Sequence, residues 1–254
     1  MTRILPSAFG FLIAAVSARA SAADHPVVVE LFTSQGCSSC PPADRLLTEI
    51  GAKSHGRVLP LAFHVDIWNS TGWTDPFSSA EWTQRQAAYA KALGLQTVYT
   101  PQAVVDGGAE LIGSDAKALD AAIAAAAARP AGQVALQLQP AAKEVRVTMD
   151  VDLPDALRGK DLDLMVAVFE TGLVTQVGRG ENGGRKLHDD YVVRSLTRAA
   201  TLKAGGAART HHAATVALDG KWQAARVGVA AFLQDPRTLA IHGAGARSLV
   251  GAAP

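Results

Sequence analysis

Cys37 and Cys40 are the only cysteines in this chain, and they follow directly on an apolar run, Val27-Val28-Val29-Glu30-Leu31-Phe32. Two thiols with two residues between them behind a buried strand restrict the local fold to a strand, a sharp turn carrying both sulfurs, and a helix. The loop such a pair closes is short enough that a disulfide there stabilises by only ~2 kcal/mol in the chain-entropy model. That is a poor staple for 254 residues. The pair points to exchange chemistry more than to mechanical support.

The flanking pattern agrees. Arg57 to Val65 is a second apolar run, so both runs read as strands buried on two faces of a helix-covered sheet. Between them Leu46, Leu47 and Ile50 recur at helical spacing, with Gly51 as the stop. Strand, helix, strand in that length predicts a right-handed parallel crossover. Asp66 to Ser79 reads as a loop, Ala80 to Leu93 as a helix closed by Gly94, and Gln102 to Val105 as a strand turning at Asp106-Gly107 into Ala109 to Gly113. Ser114 or Asp115 caps an alanine-rich helix that Pro130 ends.

Beyond Pro130 the period changes. Val145, Val147, Met149 and Val151 alternate with polar residues, as do Leu162, Leu164, Val166 and Val168. Further strands are expected over Tyr191 to Thr197, Ala213 to Leu218, Ala225 to Leu233 and Leu239 to His242. The chain therefore reads as α/β over residues 24–130, followed by a small antiparallel β-sandwich domain over 131–250.

With 24 Lys and Arg against 23 Asp and Glu, the net charge is +1, which disfavours nucleic acid as a partner. Arg3, the apolar stretch Phe9 to Val16 and Ala18-Arg19-Ala20 make residues 1–20 a cleaved export signal, too short to span a bilayer, and no later segment spans one. The mature chain is expected to be periplasmic or secreted, where disulfides persist.

If the helix starts at Cys37, its unpaired N–H groups favour the Cys37 thiolate, making Cys37 the nucleophile and Cys40 the resolving thiol. Pro41-Pro42 complicates this, because neither proline has an N–H and each disfavours helical geometry in the residue before it. A helix starting at Pro41 instead, with Cys40 near its N-cap, shifts the stabilisation toward Cys40.

The order of elements resembles the thioredoxin-like fold. Together with Glu30-Leu-Phe-Thr-Ser-Gln-Gly-Cys-Ser-Ser-Cys-Pro-Pro-Ala-Asp44, Phe63-His-Val-Asp66, Gly72-Trp-Thr-Asp-Pro-Phe77, Val98-Tyr-Thr-Pro-Gln-Ala-Val-Val-Asp-Gly107 and Arg179-Gly-Glu-Asn-Gly-Gly-Arg185, it resembles a family of uncharacterised bacterial secreted proteins. That family is classed as a domain of unknown function with a thioredoxin-like region. The resemblance implies that Thr100-Pro101 is a cis step facing the cysteines and positioning substrate backbone. It also implies a role for Glu30 in proton transfer to the resolving thiol, the alternative being a solvent-facing residue at a strand edge.

The remaining polar and aromatic residues carry weaker signals. His64 and Asp66 end the second strand near the cysteines, where a histidine with two thiolates can hold copper or zinc, although a hydrogen-bonded rim histidine is the commoner case. His211-His212 reads as structural. Trp68, Trp73, Phe77 and Trp82 form either a wall beside the cysteines or packing for the inserted segment. Arg179 to His188 either touches the first domain or joins two strands.

The expected activity is thiol-disulfide exchange on a disulfide or thiol substrate, a protein above all, with an unidentified redox partner and no organic cofactor. The alternatives are a copper- or zinc-binding metallochaperone and a redox-inert binding module.

Overall fold

The computed structural model describes residues 25–250; the expected export signal lies outside them. The elements are, in chain order, β1 (Val27–Thr33), α1 (Pro41–Ser54), β2 (Val58–His64), α2 (Ala80–Leu93), β3 (Gln102–Val105), β4 (Ala109–Ile112), α3 (Ala116–Ala127), β5 (Gln133–Pro140), β6 (Glu144–Asp152), β7 (Leu162–Glu170), β8 (Leu173–Gln176), β9 (Lys186–Asp189), β10 (Val192–Leu202), β11 (Arg209–Ala217), β12 (Val227–Gln234) and β13 (Ile241–Ser248). The architecture is mixed α/β. Its main sheet has eight strands in the order β13-β12-β7-β10-β2-β1-β3-β4.

β1 and β2 are parallel and in register from Val27↔Val58 to Thr33↔His64, with α1 as the crossover. β3 adds antiparallel on the other side of β1, and β4 returns beside it through Asp106 (φ 43°) and Gly107 (φ 64°). Two successive positive φ angles make the primed turn whose twist matches its strands. β1 is thus an interior strand with every residue buried. Val27, Val29 and Leu31 pack with Ala43 and Leu47 of α1, while Val28 and Phe32 pack with Trp82 and Tyr89 of α2. The period-two alternation of a strand assigns one helix layer to each face.

The strands after residue 130 continue this same sheet. Val192 of β10 pairs parallel with Ala62 of β2, and the Ala62 N–H donates to Tyr191 O at 2.8 Å. A three-stranded sheet, β11-β6-β5, covers the far half. Val145, Val147, Met149 and Val151 of β6 meet Leu162, Leu164, Val166 and Val168 of β7 in one core. Ala167 and Phe169, on the other face of β7, join the core of β1, β2 and α2.

Several boundaries depart from expectation. Gly51 does not stop α1, which runs to Ser54 and ends at His55 (φ 51°) and Gly56 (φ 80°). Gly51 is required instead by close packing, since a Cβ there would overlap the Tyr191 ring. β5 lies outside the expected strands although Val134, Leu136 and Leu138 alternate as the apolar residues of β6 do, and the short, mostly polar β8–β9 hairpin carries no such period.

Candidate functional site

α1 begins at Pro41, with Cys40 in helical geometry at its N-cap, so the later of the two helix starts applies. Proline at the first helical positions is compatible because their N–H groups would have had no helical partner. The N–H groups of Ala43 and Asp44 both donate to Cys40 O, at 2.8 and 3.1 Å. Cys37 precedes the helix in a turn in which its own N–H donates to Ser34 O at 3.1 Å.

Cys37 and Cys40 form a disulfide. Cys37 is 3% exposed and Cys40 wholly buried, while Ser38 and Ser39 between them are exposed. Cys37 Sγ lies 3.9 Å from Thr100 O, and the Ser39 hydroxyl donates to it at 3.4 Å. Thr100-Pro101 is a cis peptide at the start of β3, and the Trp68 indole N–H holds Thr100 Oγ1 at 2.8 Å. Cys37, Cys40, Thr100 and Pro101 therefore come together from separate parts of the chain.

Glu30 does not join them. It shares a face of β1 with Val28 and Phe32, toward α2, whereas Cys40 leads into α1 on the opposite face. There its Oε1 accepts from Arg85 Nη2 at 2.6 Å and Nε at 3.2 Å, and Arg85 lies over Phe63, Tyr89 and Phe232. Nor is Glu30 a solvent-facing edge residue, because it is fully buried in an interior strand.

The acid on the cysteines' side is Asp44, one helical turn beyond Cys40 and on the same helix face. Thr33 Oγ1 donates to its Oδ1 at 2.7 Å. Burial pushes its pKa up to about 7, against the opposing charge of His64. His64 pairs in register with Thr33 and so faces the same side. Its Nδ1 is 2.7 Å from Asp75 Oδ2, with both side chains buried. Burial alone would push its pKa down, but the charge and hydrogen bond of Asp75, with Asp189 and Asp44 adding to them, raise it to about 9. Burial works against ionised Asp75 as well, but the His64 charge and hydrogen bond together with the Gln35 and Phe77 N–H groups outweigh it, holding the carboxyl below its ordinary range. Asp66 turns away to α2, accepting from Thr83 Oγ1 at 2.6 Å.

Gln35 ties this buried cluster to the cysteine turn. Its N–H donates to Asp75 Oδ2 at 2.8 Å, its amide to Asp189 Oδ2 at 2.7 Å and Thr175 Oγ1 at 3.0 Å, and its Oε1 accepts from Trp73 Nε1 at 3.1 Å. Phe77 meets His64 edge-on and Trp82 meets Phe63 edge-on, so the aromatic segment packs inward while Trp68 and Trp73 brace the site with their indole N–H groups.

The β8–β9 hairpin closes over the cysteine turn. Asn182 Nδ2 donates to both Gln35 O and Cys37 O at 2.9 Å, and Glu181 Oε2 accepts from Ser38 N–H at 3.1 Å. Asn182, Gln35 and Asp44 stand in the motifs quoted above, yet spacing alone gave them no role. His211 pairs with Asp150 across the β11–β6 ladder, away from the sulfurs. Among the described residues no group of three or more His, Cys, Asp or Glu side chains is placed to hold a metal ion.

Two solved structures share this architecture. The crystal structure of protein AGR_C_4864 from Agrobacterium tumefaciens is 30% identical, aligns over 87% of this chain and 92% of its own, and has a TM-score of 0.68. HBP35 of Porphyromonas gingivalis is 20% identical over 91% of this chain and 77% of its own, with a TM-score of 0.67, a likeness of fold. No curated protein matches. A family model described as "Protein of unknown function (DUF1223)" matches residues 28–234, a span that takes in both cysteines, Thr100-Pro101, His64 and the hairpin that covers them, and the chain belongs to that family.

Proposed function

We propose that this chain is an exported thiol-disulfide oxidoreductase, built on a thioredoxin-like half over 24–130 and a β-sandwich-like half over 131–250. The observation that carries the reading is the disulfide itself, set beside the cis Thr100-Pro101 step, with Cys37 Sγ 3.9 Å from the Thr100 carbonyl and Cys37 the less deeply buried of the two. Of the two, Cys37 beside the exposed Ser38 and Ser39 suits attack, and the fully buried Cys40 suits resolution.

In the reduced protein, the Cys37 thiolate attacks one sulfur of a substrate disulfide and the other leaves as a thiolate. Cys40 then attacks Cys37 Sγ, which forms the Cys37–Cys40 bond and releases the second substrate thiolate. Because Cys40 is fully buried, its proton needs an acceptor inside the protein. Asp44, one turn away with a pKa near neutrality, suits that task in place of Glu30. The Thr100 carbonyl beside Cys37 suits an extended substrate backbone. Export rests on residues 1–20, and N-terminal sequencing of the mature protein tests it, with Ser21 expected first.

Mixing the reduced protein with a chromogenic aromatic disulfide tests the chemistry. Two thiolates are released per protein if Cys37 attacks and Cys40 resolves; Cys40→Ser stops at one and leaves a stable mixed disulfide. Asp44→Asn slows the second release by roughly a hundredfold and leaves the first unchanged. A wild-type protein that releases nothing overturns the reading.

A further inference from the structure

The direction of electron flow follows from how the site houses negative charge. The more a fold stabilises the reduced thiolate form, the more oxidising its disulfide becomes. At a helix start that stabilisation comes from unpaired N–H groups and the dipole. α1 withholds the hydrogen bonds: Pro41 and Pro42 have no N–H to give, and the N–H groups of Ala43 and Asp44 are taken by Cys40 O. Among the described residues, the only hydrogen bond to either sulfur comes from the Ser39 hydroxyl.

The charges around the turn reinforce this. Asp75 accepts from the Gln35 N–H, Asp189 from the Gln35 amide and Glu181 from the Ser38 N–H, and Asp44 stands one turn from Cys40. Against these four carboxyl groups, His64 is bound to Asp75, and Arg185 is turned to Asn182 Oδ1 at 3.0 Å. Burial already raises the pKa of Asp44 and of Asp189, so the surroundings resist a further negative charge. A thiolate is such a charge.

We infer that the Cys37–Cys40 pair works as a reductant, passing two electrons from its dithiol to a substrate disulfide and being returned to the dithiol by a more reducing dithiol donor outside this chain. The inference rests on the thiol-disulfide reading above. In the forward step the substrate S–S bond breaks, the Cys37–Cys40 bond forms, and the two thiol protons end on the two substrate thiols. In the return step the donor dithiol becomes a disulfide, and its two electrons and two protons restore Cys37 and Cys40. The reaction before this one in sequence is therefore the oxidation of a dithiol, and the product handed on is a reduced thiol.

The test equilibrates the mature protein with glutathione buffers and with dithiothreitol buffers, counts free thiols by alkylation, and follows thiolate absorbance against pH. The disulfide is expected to persist in glutathione and to open in dithiothreitol, with Cys37 titrating at or above about 8.5, the ordinary thiol value. Glu181→Gln is expected to lower the Cys37 pKa by up to about one unit and, at a pH above that pKa, to shift the glutathione equilibrium toward the dithiol by up to about tenfold. A dithiol that predominates in glutathione, with Cys37 titrating well below neutrality, overturns the inference while leaving the exchange chemistry intact. A pair that exchanges with neither reagent in the native protein, but does so once unfolded, removes the thiol-disulfide reading and this inference with it.

Discussion

The side-chain amide of Asn182 donates to the carbonyl oxygen of Cys37 at 2.9 Å, across 145 residues of chain. Since the same amide also serves Gln35 O, one side chain satisfies two buried carbonyls on either side of Gly36. A hairpin from the other half of the molecule thus bonds directly to the cysteine turn.

Asn182→Ala leaves both carbonyls without that donor in a buried setting. The expected loss is about 1–3 kcal/mol in urea unfolding of the oxidised protein. An unchanged midpoint would mean that the hairpin merely rests against the turn.

Gly51→Ala separates two effects of opposite sign. In an ordinary helix interior the change stabilises by up to about 1 kcal/mol. Here the new methyl overlaps the Tyr191 ring, and overpacking of that kind costs about 1–3 kcal/mol. We expect a lowered melting temperature that Tyr191→Ala restores in the double variant relative to Tyr191→Ala alone; a stabilised single variant would contradict the packing account.

Glu30 and Arg85 form an ion pair whose side chains are 0% and 10% exposed. Removing one partner strands the other's charge, so Glu30→Leu and Arg85→Met should each cost about 3–5 kcal/mol, and the double variant clearly less than their sum. Arg85→Met should leave the thiol titration of Cys37 unmoved, because Arg85 stands with Glu30 on the face turned from α1. A shift in that titration would bring the pair back into the site.

The His64–Asp75 pair makes stability depend on pH. The folded-state pKa of His64 is raised to about 9, above its ordinary 6.5. Its contribution is then complete below about pH 6.5 and is lost as pH rises through about 9. Asp44 adds to the same trend at lower pH, because its raised pKa makes the folded protein hold a proton that the unfolded chain releases between about 3.8 and 7. Unfolding free energy should decline between pH 6.5 and 9, and His64→Gln should flatten that decline. A decline of the same slope in the variant would place its origin elsewhere.

Much of the chain was legible because its signals are local. The apolar runs of β1 and β2, the alternation of β6 and β7, the Asp106-Gly107 turn and the Gly94 helix end each rest on a few neighbouring residues whose backbone preferences agree. The juxtaposition of Cys37 with Thr100-Pro101 was reached through family resemblance, which carries long-range information that spacing does not. The β8–β9 hairpin is not legible because its strands are four residues long and mostly polar, whereas β5 does carry a local mark in the alternation of Val134, Leu136 and Leu138.

The sequence by itself determined that a strand, a cysteine turn and a helix follow one another, because φ/ψ preference, apolar period and the two prolines act within a dozen residues. Tertiary structure alone decided which acid stands on the cysteines' side of the sheet. Facing is set by strand pairing, so Glu30 turned to Arg85, while Asp75 and Asp189 met at Gln35 and His64 and Asp44 came close enough to them to alter one another's protonation. Burial and charge then gave ordinary side chains their altered protonation, a property that belongs to the assembled site and to none of its residues taken singly.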